Sequence, residues 1–305
     1  MKRILTFSLL CLPLGLLATQ TNDGVASVSA PWLQGTNDAR SAALAANTAV
    51  PQGLGALGDN VAGLGALKGW QAGLGHTLGI QGTSQEHGAL NWGNGKTGVG
   101  LGVDYLSFGS VDSYTVVSNQ LVPGSAITPY AATATLGGAH RFGTVSLGAA
   151  AKWVSQSLDG SQSASTFAGD LGALWSGKSG ISLGLAAQNL GGQLDGANLP
   201  GQVKAGAGYQ TPLGKQTLLL AADYVQSLVA SDGSANQIDV GGELLLRQTL
   251  ALRAGYSLAP RGSLSGTAGL SAGLGVHLGA FTLAYAYSGL GDLGANQHLS
   301  LEAGF

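Results

Sequence analysis

Gln248-Thr249-Leu250-Ala251-Leu252-Arg253-Ala254-Gly255-Tyr256-Ser257-Leu258-Ala259 is the stretch whose reading decides the fold. In an extended chain, successive side chains point to opposite faces. Leu250, Leu252, Ala254, Tyr256 and Leu258 then share one apolar face, and Ala251, Arg253, Gly255 and Ser257 share the other. The same phase appears in Ile181, Leu183, Leu185 and Ala187 against Ser182, Gly184, Ala186 and Gln188. It returns at the end of the chain, with Leu299, Leu301, Ala303 and Phe305 against Ser300 and Glu302.

Working outward, period-two alternation predicts strands at 68–78, 85–92, 96–108, 129–141, 144–156, 163–176 and 179–190. Seven more follow at 201–211, 215–226, 236–246, 248–259, 263–278, 281–289 and 296–305. Segments of this length cross a bilayer when tilted, and an even strand number suits a single-chain bacterial barrel. In 85–92, Glu86, His87 and Asn91 do not separate cleanly by face.

The charges sharpen the reading. Asp104, Lys152, Asp170, Lys204, Asp223, Asp239, Glu243, Arg253 and Glu302 lie inside strands, each in phase with the polar face. On a lipid face near the midplane a Lys or Arg costs roughly 2–4 kcal/mol, and an acid somewhat less. A soluble sandwich also alternates, but its outer face is the polar one. Here only 9% of residues are charged, 52 are glycine, and the net charge is -2. That balance lacks the charge a water-soluble surface needs and the basic face a nucleic acid requires. The expected fold is all-β: a transmembrane antiparallel barrel of fourteen strands over 68–305, with outer-membrane lipid around it.

Met1-Lys2-Arg3 followed by the apolar run Ile4 to Leu17 reads as an export signal. Cleavage is expected after Ala18, or as late as Ala30, and Cys11 leaves with the signal. Loop lengths give an orientation. Even-to-odd connections such as Gly143, Gly177-Lys178 and Gly279-Ala280 are tight, whereas 109–128 and 191–200 are long. Pro260-Arg261-Gly262 is the exception among the long set. Tight turns belong on the periplasmic side. Trp92, Phe108, Tyr130, Phe142, Trp153, Trp175, Tyr209, Tyr224, Tyr256 and Tyr287 cluster near strand ends, as interfacial girdles do.

Residues 31–67 precede the first strand and read differently. Asn37 to Val50 has the apolar spacing of a short helix, capped by Thr36 or Asn37, and Gly53 to Gly65 reads as a loop. The segment is poor in charge and is expected inside the lumen as a plug. Arg40 should then meet an inward acid, Asp170 or Glu243, while Leu54, Leu57, Leu64 and Leu67 form an apolar floor.

Ala39-Arg40-Ser41-Ala42-Ala43-Leu44, Thr48-Ala49-Val50 and Asn60-Val61-Ala62-Gly63-Leu64 resemble the N-terminal signature of PorV/PorQ-type proteins, in the FadL-like superfamily of outer-membrane transport barrels. Val103 to Ser110, Ala168 to Gly172, Gln188 to Gly192, Leu252 to Tyr256 and His298 to Phe305 extend the resemblance over 39–305. Val61 stands where the family has Pro, and Ala45-Ala46-Asn47 replaces a glycine pair, which puts the role of the Asn60 element in doubt. The resemblance implies a fourteen-stranded barrel with a plug. Its function is either uptake of a hydrophobic small molecule or a part in type IX protein secretion, with secretion proteins as partners.

Two G-x-G-x-x-G matches, Gly53 to Gly58 and Gly289 to Gly294, lack the strand and helix that dinucleotide binding needs. His76, His87, His140, His277 and His298 have no ligand spacing, and no G-x-S-x-G elbow exists. No catalytic residue, metal or cofactor is expected. Passive transport of a hydrophobic or amphipathic small molecule is the favoured reading, with a protein-interaction role in a secretion or envelope assembly as the alternative.

Overall fold

The computed structural model describes residues 28–159, 162–229, 236–258 and 266–305. The signal segment 1–18 lies outside them. Fourteen antiparallel strands close into a barrel. In chain order the strands are β1 (Lys68–Leu78), β2 (Ser84–Asn94), β3 (Thr97–Ser107), β4 (Tyr114–Val117), β5 (Gln120–Pro123), β6 (Tyr130–Phe142), β7 (Val145–Ser157), β8 (Ala164–Ser176) and β9 (Ile181–Leu190). The rest are β10 (Gln193–Leu194), β11 (Ala197–Asn198), β12 (Gln202–Leu213), β13 (Gln216–Ser227), β14 (Gln237–Leu246), β15 (Leu250–Ser257), β16 (Leu270–Leu278), β17 (Phe281–Gly289) and β18 (Ala295–Gly304). β4–β5 and β10–β11 are small hairpins inside two long connections and take no part in the wall. The barrel closes where β18 meets β1. There Trp70 N donates to Phe305 O at 2.6 Å, and Phe305 N returns a bond to Trp70 O at 3.0 Å.

Thirteen of the fourteen expected strands match within a few residues; the exception is the one expected at 263–278. β16 begins at Leu270, 266–269 form a turn, and 259–265 lie outside the described residues. Twelve residues, 258–269, therefore separate β15 from β16, against five between β1 and β2 at the same end of the barrel. Apolar alternation alone could not see this, because Ser263 to Gly269 continues the small-residue pattern in sequence.

The wall has two faces. Outward side chains are large and apolar, among them Leu74, Leu136, Leu185, Leu252 and Leu274, all exposed. β2 is ambiguous in sequence because Glu86 does point outward. It sits beside the loop end of the strand, 2.6 Å from His76 Nδ1 on β1, which also faces out. Beyond the apolar belt such a pair stays solvated and carries little cost.

The inside is filled by the segment before β1. The expected helix over 37–50 is shorter: α1 spans Ala39–Leu44. Its cap is Asp38, whose side chain accepts from Arg40 N and Ser41 N, and not Thr36 or Asn37. The helix stops at Ala45, which takes a positive φ of 59°. Asn47 Nδ2 then covers the Ser41 carbonyl at 2.9 Å. What reads as a loop is instead a run of short helical turns: Gly53–Gly55, α2 (Ala56–Asp59) and Val61–Ala66.

Inward glycines let this segment lie directly on the wall. A Cβ at Gly241 would fall 1.9 Å from Leu44 O, at Gly98 2.0 Å from Leu64 O, and at Gly184 2.1 Å from Thr48 O. On one side, Ala39, Ala42 and Ala43 pack against Ala284 and Ala286 of β17. On the other, Leu57, Val61 and Leu64 pack against Ala139 and Ala150. Leu44, Leu54 and Leu64 are fully buried, and such a leucine contributes roughly 1.5–3 kcal/mol. Further out, Ala30 is buried with Val154, Leu194 and Leu199, while Ser29 N donates to Asn198 O at 2.8 Å. Cleavage after Ala30 would remove these contacts, and cleavage after Ala18 keeps them.

The two faces can be tested by charge. Leu252→Arg, on the outer belt, should lower the yield of heat-modifiable folded barrel severely. Thr282→Arg should be tolerated, since Thr282 borders the interior beside Glu302. Equal folding of both variants in lipid would overturn this assignment.

Candidate functional site: the divided lumen

The interior is partitioned, not solid. A chamber of about 520 Å³ lies at the short-turn end, bordered by Arg40, Gln52, Leu67, Gln71, Glu243, Arg253, His277 and Glu302. A second, of about 560 Å³, lies at the long-loop end, bordered by Gln34, Thr36, Gln85, Gln202, Lys204, Gln237, Asp239 and His298. α1 stands between them: Arg40 borders the first, while Ala42 and Ala45 at its other end border the second.

Each charge on the inner wall has its own use. Glu243 Oε2 on β14 lies 2.6 Å from Arg253 Nε and 3.3 Å from Arg40 Nε. Arg40 also donates through Nη1 to the Val50 carbonyl at 3.1 Å. Asp223 holds the stretch after α1: its Oδ2 accepts from Asn47 N, Thr48 N and Thr48 Oγ1, at 2.8, 2.9 and 2.8 Å. Asp170 is not within reach of Arg40. It sits 3.1 Å from Lys152 Nζ and accepts from Asn189 N at 2.8 Å, across a bulge where the β8–β9 register shifts. Asp104 lies 2.8 Å from His87 Nδ1 and accepts from Thr133 at 2.7 Å. Asp239 accepts from Gln237, and Lys204 projects into the long-loop chamber. Glu302 rests against Gly53.

Asn60 is a junction. Its amide donates to Thr48 O at 2.8 Å and towards Ala173 O and Leu185 O at 3.2 and 3.3 Å, while its Oδ1 accepts from Ala62 N. A cradle for its side chain exists because Gly172 has no Cβ, which would sit 2.2 Å from Asn60 Oδ1.

The four leucines do not form one floor. Leu54 and Leu64 are buried against the wall, and Leu57 borders a small cavity of about 30 Å³. Leu67 alone lines the short-turn chamber. The dimples left by glycines take up the aliphatic chains, so the chambers are more polar than expected.

Sequence reasoning missed the groups that satisfy the inner segment's own backbone. Ser271 donates to Ala43 O at 2.9 Å, Ser146 to Ala62 O at 2.6 Å, and Gln188 to Gly58 O. Their signal was present: each is an inward polar residue opposite a segment whose carbonyls need donors. Also missed was a carboxyl pair. Ser41 Oγ lies 2.7 Å from Asp38 Oδ2 and 2.6 Å from Asp59 Oδ2. One hydroxyl proton serves one acceptor, so the second contact is donated by a carboxylic acid. Burial, reinforced by the Asp38 charge, pushes the Asp59 carboxyl up to about 7, so Asp59 takes the proton below that pH. Among the described residues, no three His, Cys, Asp or Glu gather as a metal site.

Two outcomes follow from this geometry. The neutral Asp59 is the form the fold holds; its contribution is fully present below the ordinary carboxylate range and is lost as pH rises through about 7. Planar-bilayer conductance should therefore rise between about pH 6 and pH 8.5, and Asp59→Asn should remove that dependence. A flat profile in the unaltered protein would contradict the shared proton. Separately, Gly241→Ala should displace α1 and raise conductance several-fold with the barrel still folded. Gly138→Ala, whose Cβ would meet nothing closer than 3.5 Å, should change nothing.

No protein-family model matches the sequence, and no characterised relative does. Solved structures do share the fold. The toluene transporter TbuX of Ralstonia pickettii aligns with a TM-score of 0.64 and 16% identity, over 90% of this chain and 99% of that one. The toluene transporter TodX of Pseudomonas putida aligns at 0.63 and 14%, over 90% and 99%. A FadL homologue of Pseudomonas aeruginosa aligns at 0.52 and 13%, over 88% and 98%. At such identities the likeness is one of fold: this chain has the closed, fourteen-stranded barrel of the FadL-type transporters.

Proposed function

We propose that the protein is an outer-membrane channel for the passive transport of hydrophobic or amphipathic small molecules, with residues 31–67 as its plug. One observation carries the reading: a barrel of the transporter fold has an interior divided by its N-terminal segment into two chambers, not packed solid. A pore would lack the partition, and a purely structural barrel would have no need of the chambers. The outward belt supports a lipid environment, since soluble proteins rarely expose so large an apolar surface. Strands crossing in this way belong to the outer membrane, reached through the signal at 1–18. The short-turn chamber then faces the periplasm and the long-loop chamber the outside. Transport of this kind needs no catalytic residue and no cofactor.

Within the superfamily, the Ala39–Leu64 signature supports a PorV/PorQ-type branch. A second reading, a component of a type IX secretion or envelope assembly, draws support from the β4–β5 hairpin. Tyr114, Val116 and Leu121 stand exposed there, as residues awaiting a partner would. The transport reading has the broader support, because it accounts for the chambers as well as the belt.

Deletion of residues 31–67 tests it. The barrel should still assemble, conduct small ions steadily, and lose retention of a hydrophobic ligand such as toluene. A deletion variant no leakier than the intact protein would remove the plug and the transport reading together.

A further inference from the structure

The long-loop chamber is lined by groups that a hydrocarbon cannot satisfy. Apart from Lys204, Asp239 and His298, its polar side chains are all amides and hydroxyls. They form an arc around the wall, from Gln202 of β12 through Gln237 of β14, Ser271 of β16 and Asn296 of β18 to Gln85 of β2. Three of the glutamines are oriented from behind. A carboxylate accepts hydrogen bonds and does not donate them. Gln237 Nε2 therefore turns towards Asp239, 2.8 Å from both oxygens, and Gln85 Nε2 towards Asp104 at 3.4 Å. Gln202 Nε2 donates to Gln188 Oε1 at 3.0 Å, because Gln188 spends its own amide on the Gly58 carbonyl. In each glutamine the carbonyl oxygen is the end left over. None of these three oxygens is among the buried atoms sealed without a partner. Lys204 is half-buried, borders the chamber and joins no ion pair among the described residues. The chamber thus carries a fringe of acceptors and one free ammonium donor.

We propose that the long-loop chamber binds a small neutral sugar. A sugar hydroxyl both donates and accepts. One molecule can therefore donate to the glutamine oxygens and accept from Lys204. An anionic ligand would meet the same oxygens, and Asp239, with nothing to donate. A hydrocarbon would displace water from all of these groups and return no hydrogen bond. Ala42 and Ala45 of the inner segment give the C–H face of a sugar ring an apolar floor. About 560 Å³ is the size of an ordinary small-molecule site. The assignment goes beyond the transport reading and does not depend on it, since it concerns a polar solute held on the long-loop side of α1.

Calorimetric titration of the full-length protein tests the site, in a polyoxyethylene detergent so that no headgroup carries a sugar ring. Glucose is the probe, and cyclohexanol is a ring of the same size with a single hydroxyl. Glucose should bind at least about tenfold more tightly, the difference that one or two net hydrogen bonds make. Lys204→Met should weaken glucose binding about fivefold or more through loss of its charged donor. Ser288→Phe, which fills the chamber from β17, should abolish it. If either variant fails to give a heat-modifiable barrel, Asn296→Leu removes an amide from β18 and should weaken binding in the same way. Equal affinities for glucose and cyclohexanol, or a glucose preference that survives these substitutions, would overturn the site. Toluene flux into proteoliposomes separates the two ideas. Flux without glucose preference removes the sugar site and leaves transport, whereas glucose binding without toluene flux keeps the site and removes hydrophobic transport.

Discussion

The structure depends on how closely one backbone can approach another. Where Gly98, Gly184 and Gly241 face inward, any Cβ would fall within about 2 Å of a carbonyl oxygen of the inner segment. Real Cβ atoms do not come so near, so alanine at any of these positions would force the segment away. The absence of side chains at these inner-wall positions is thus what admits the 31–67 segment into a fourteen-stranded barrel. Glycine weakens a strand by roughly 0.5–1 kcal/mol relative to alanine. That loss is offset by the aliphatic chains which settle into the dimples, and by strand pairing that closes round the barrel.

Close approach creates a second demand. A segment of short helical turns has many backbone groups without partners of their own, and no bulk water reaches them in the wall contact. The wall answers residue by residue. Asp223 takes the Asn47 and Thr48 amides, Ser271 and Ser146 cover carbonyls, and Asn60 reaches back to strand carbonyls at Ala173 and Leu185. Asp38 does the same within the segment by capping α1. Its neighbour Asp59 then becomes a second acid in an enclosed space, and a shared proton is the least costly arrangement of the two around Ser41.

Much of the barrel was legible because its rule is local. Lipid outside and polar groups inside impose period two on every strand, and nine charges in phase fixed the inward face before any contact was known. The strand expected at 263–278 is longer than β16 because Ser263 to Gly269 continues the small-residue alternation in sequence. α1 was drawn too long for a related reason: alanine spacing favours helix to Val50, but Asp223 captures the Asn47 and Thr48 amides from across the barrel. Such captures depend on which strand lies opposite, and that is fixed by closure. The same holds for the ion pairs. Arg40 had two candidate acids, Asp170 and Glu243, and only the position of α1 against β14 and β15 chooses Glu243.

The fixings are uneven, and their distribution bears on how a divided lumen could pass a solute. The half around Val61–Ala66 is held by buried Leu57 and Leu64, by the Asn60 junction and by Ser146. Freeing it means exposing two leucines at roughly 1.5–3 kcal/mol each, as well as breaking enclosed hydrogen bonds. α1 is held by one leucine. It buries Leu44 against Leu219 and Ala221, and alanines against Ala284 and Ala286, where each methyl is worth about 0.8 kcal/mol, together with Ser271 on Ala43 O and the Arg40–Glu243 contact. The longer Glu243 contact, 3.3 Å to Arg40 against 2.6 Å to Arg253, is the one that ties the partition to the wall. The partition between the chambers is thus one six-residue helix, fixed by one leucine, its alanines, one wall hydroxyl and one ion pair.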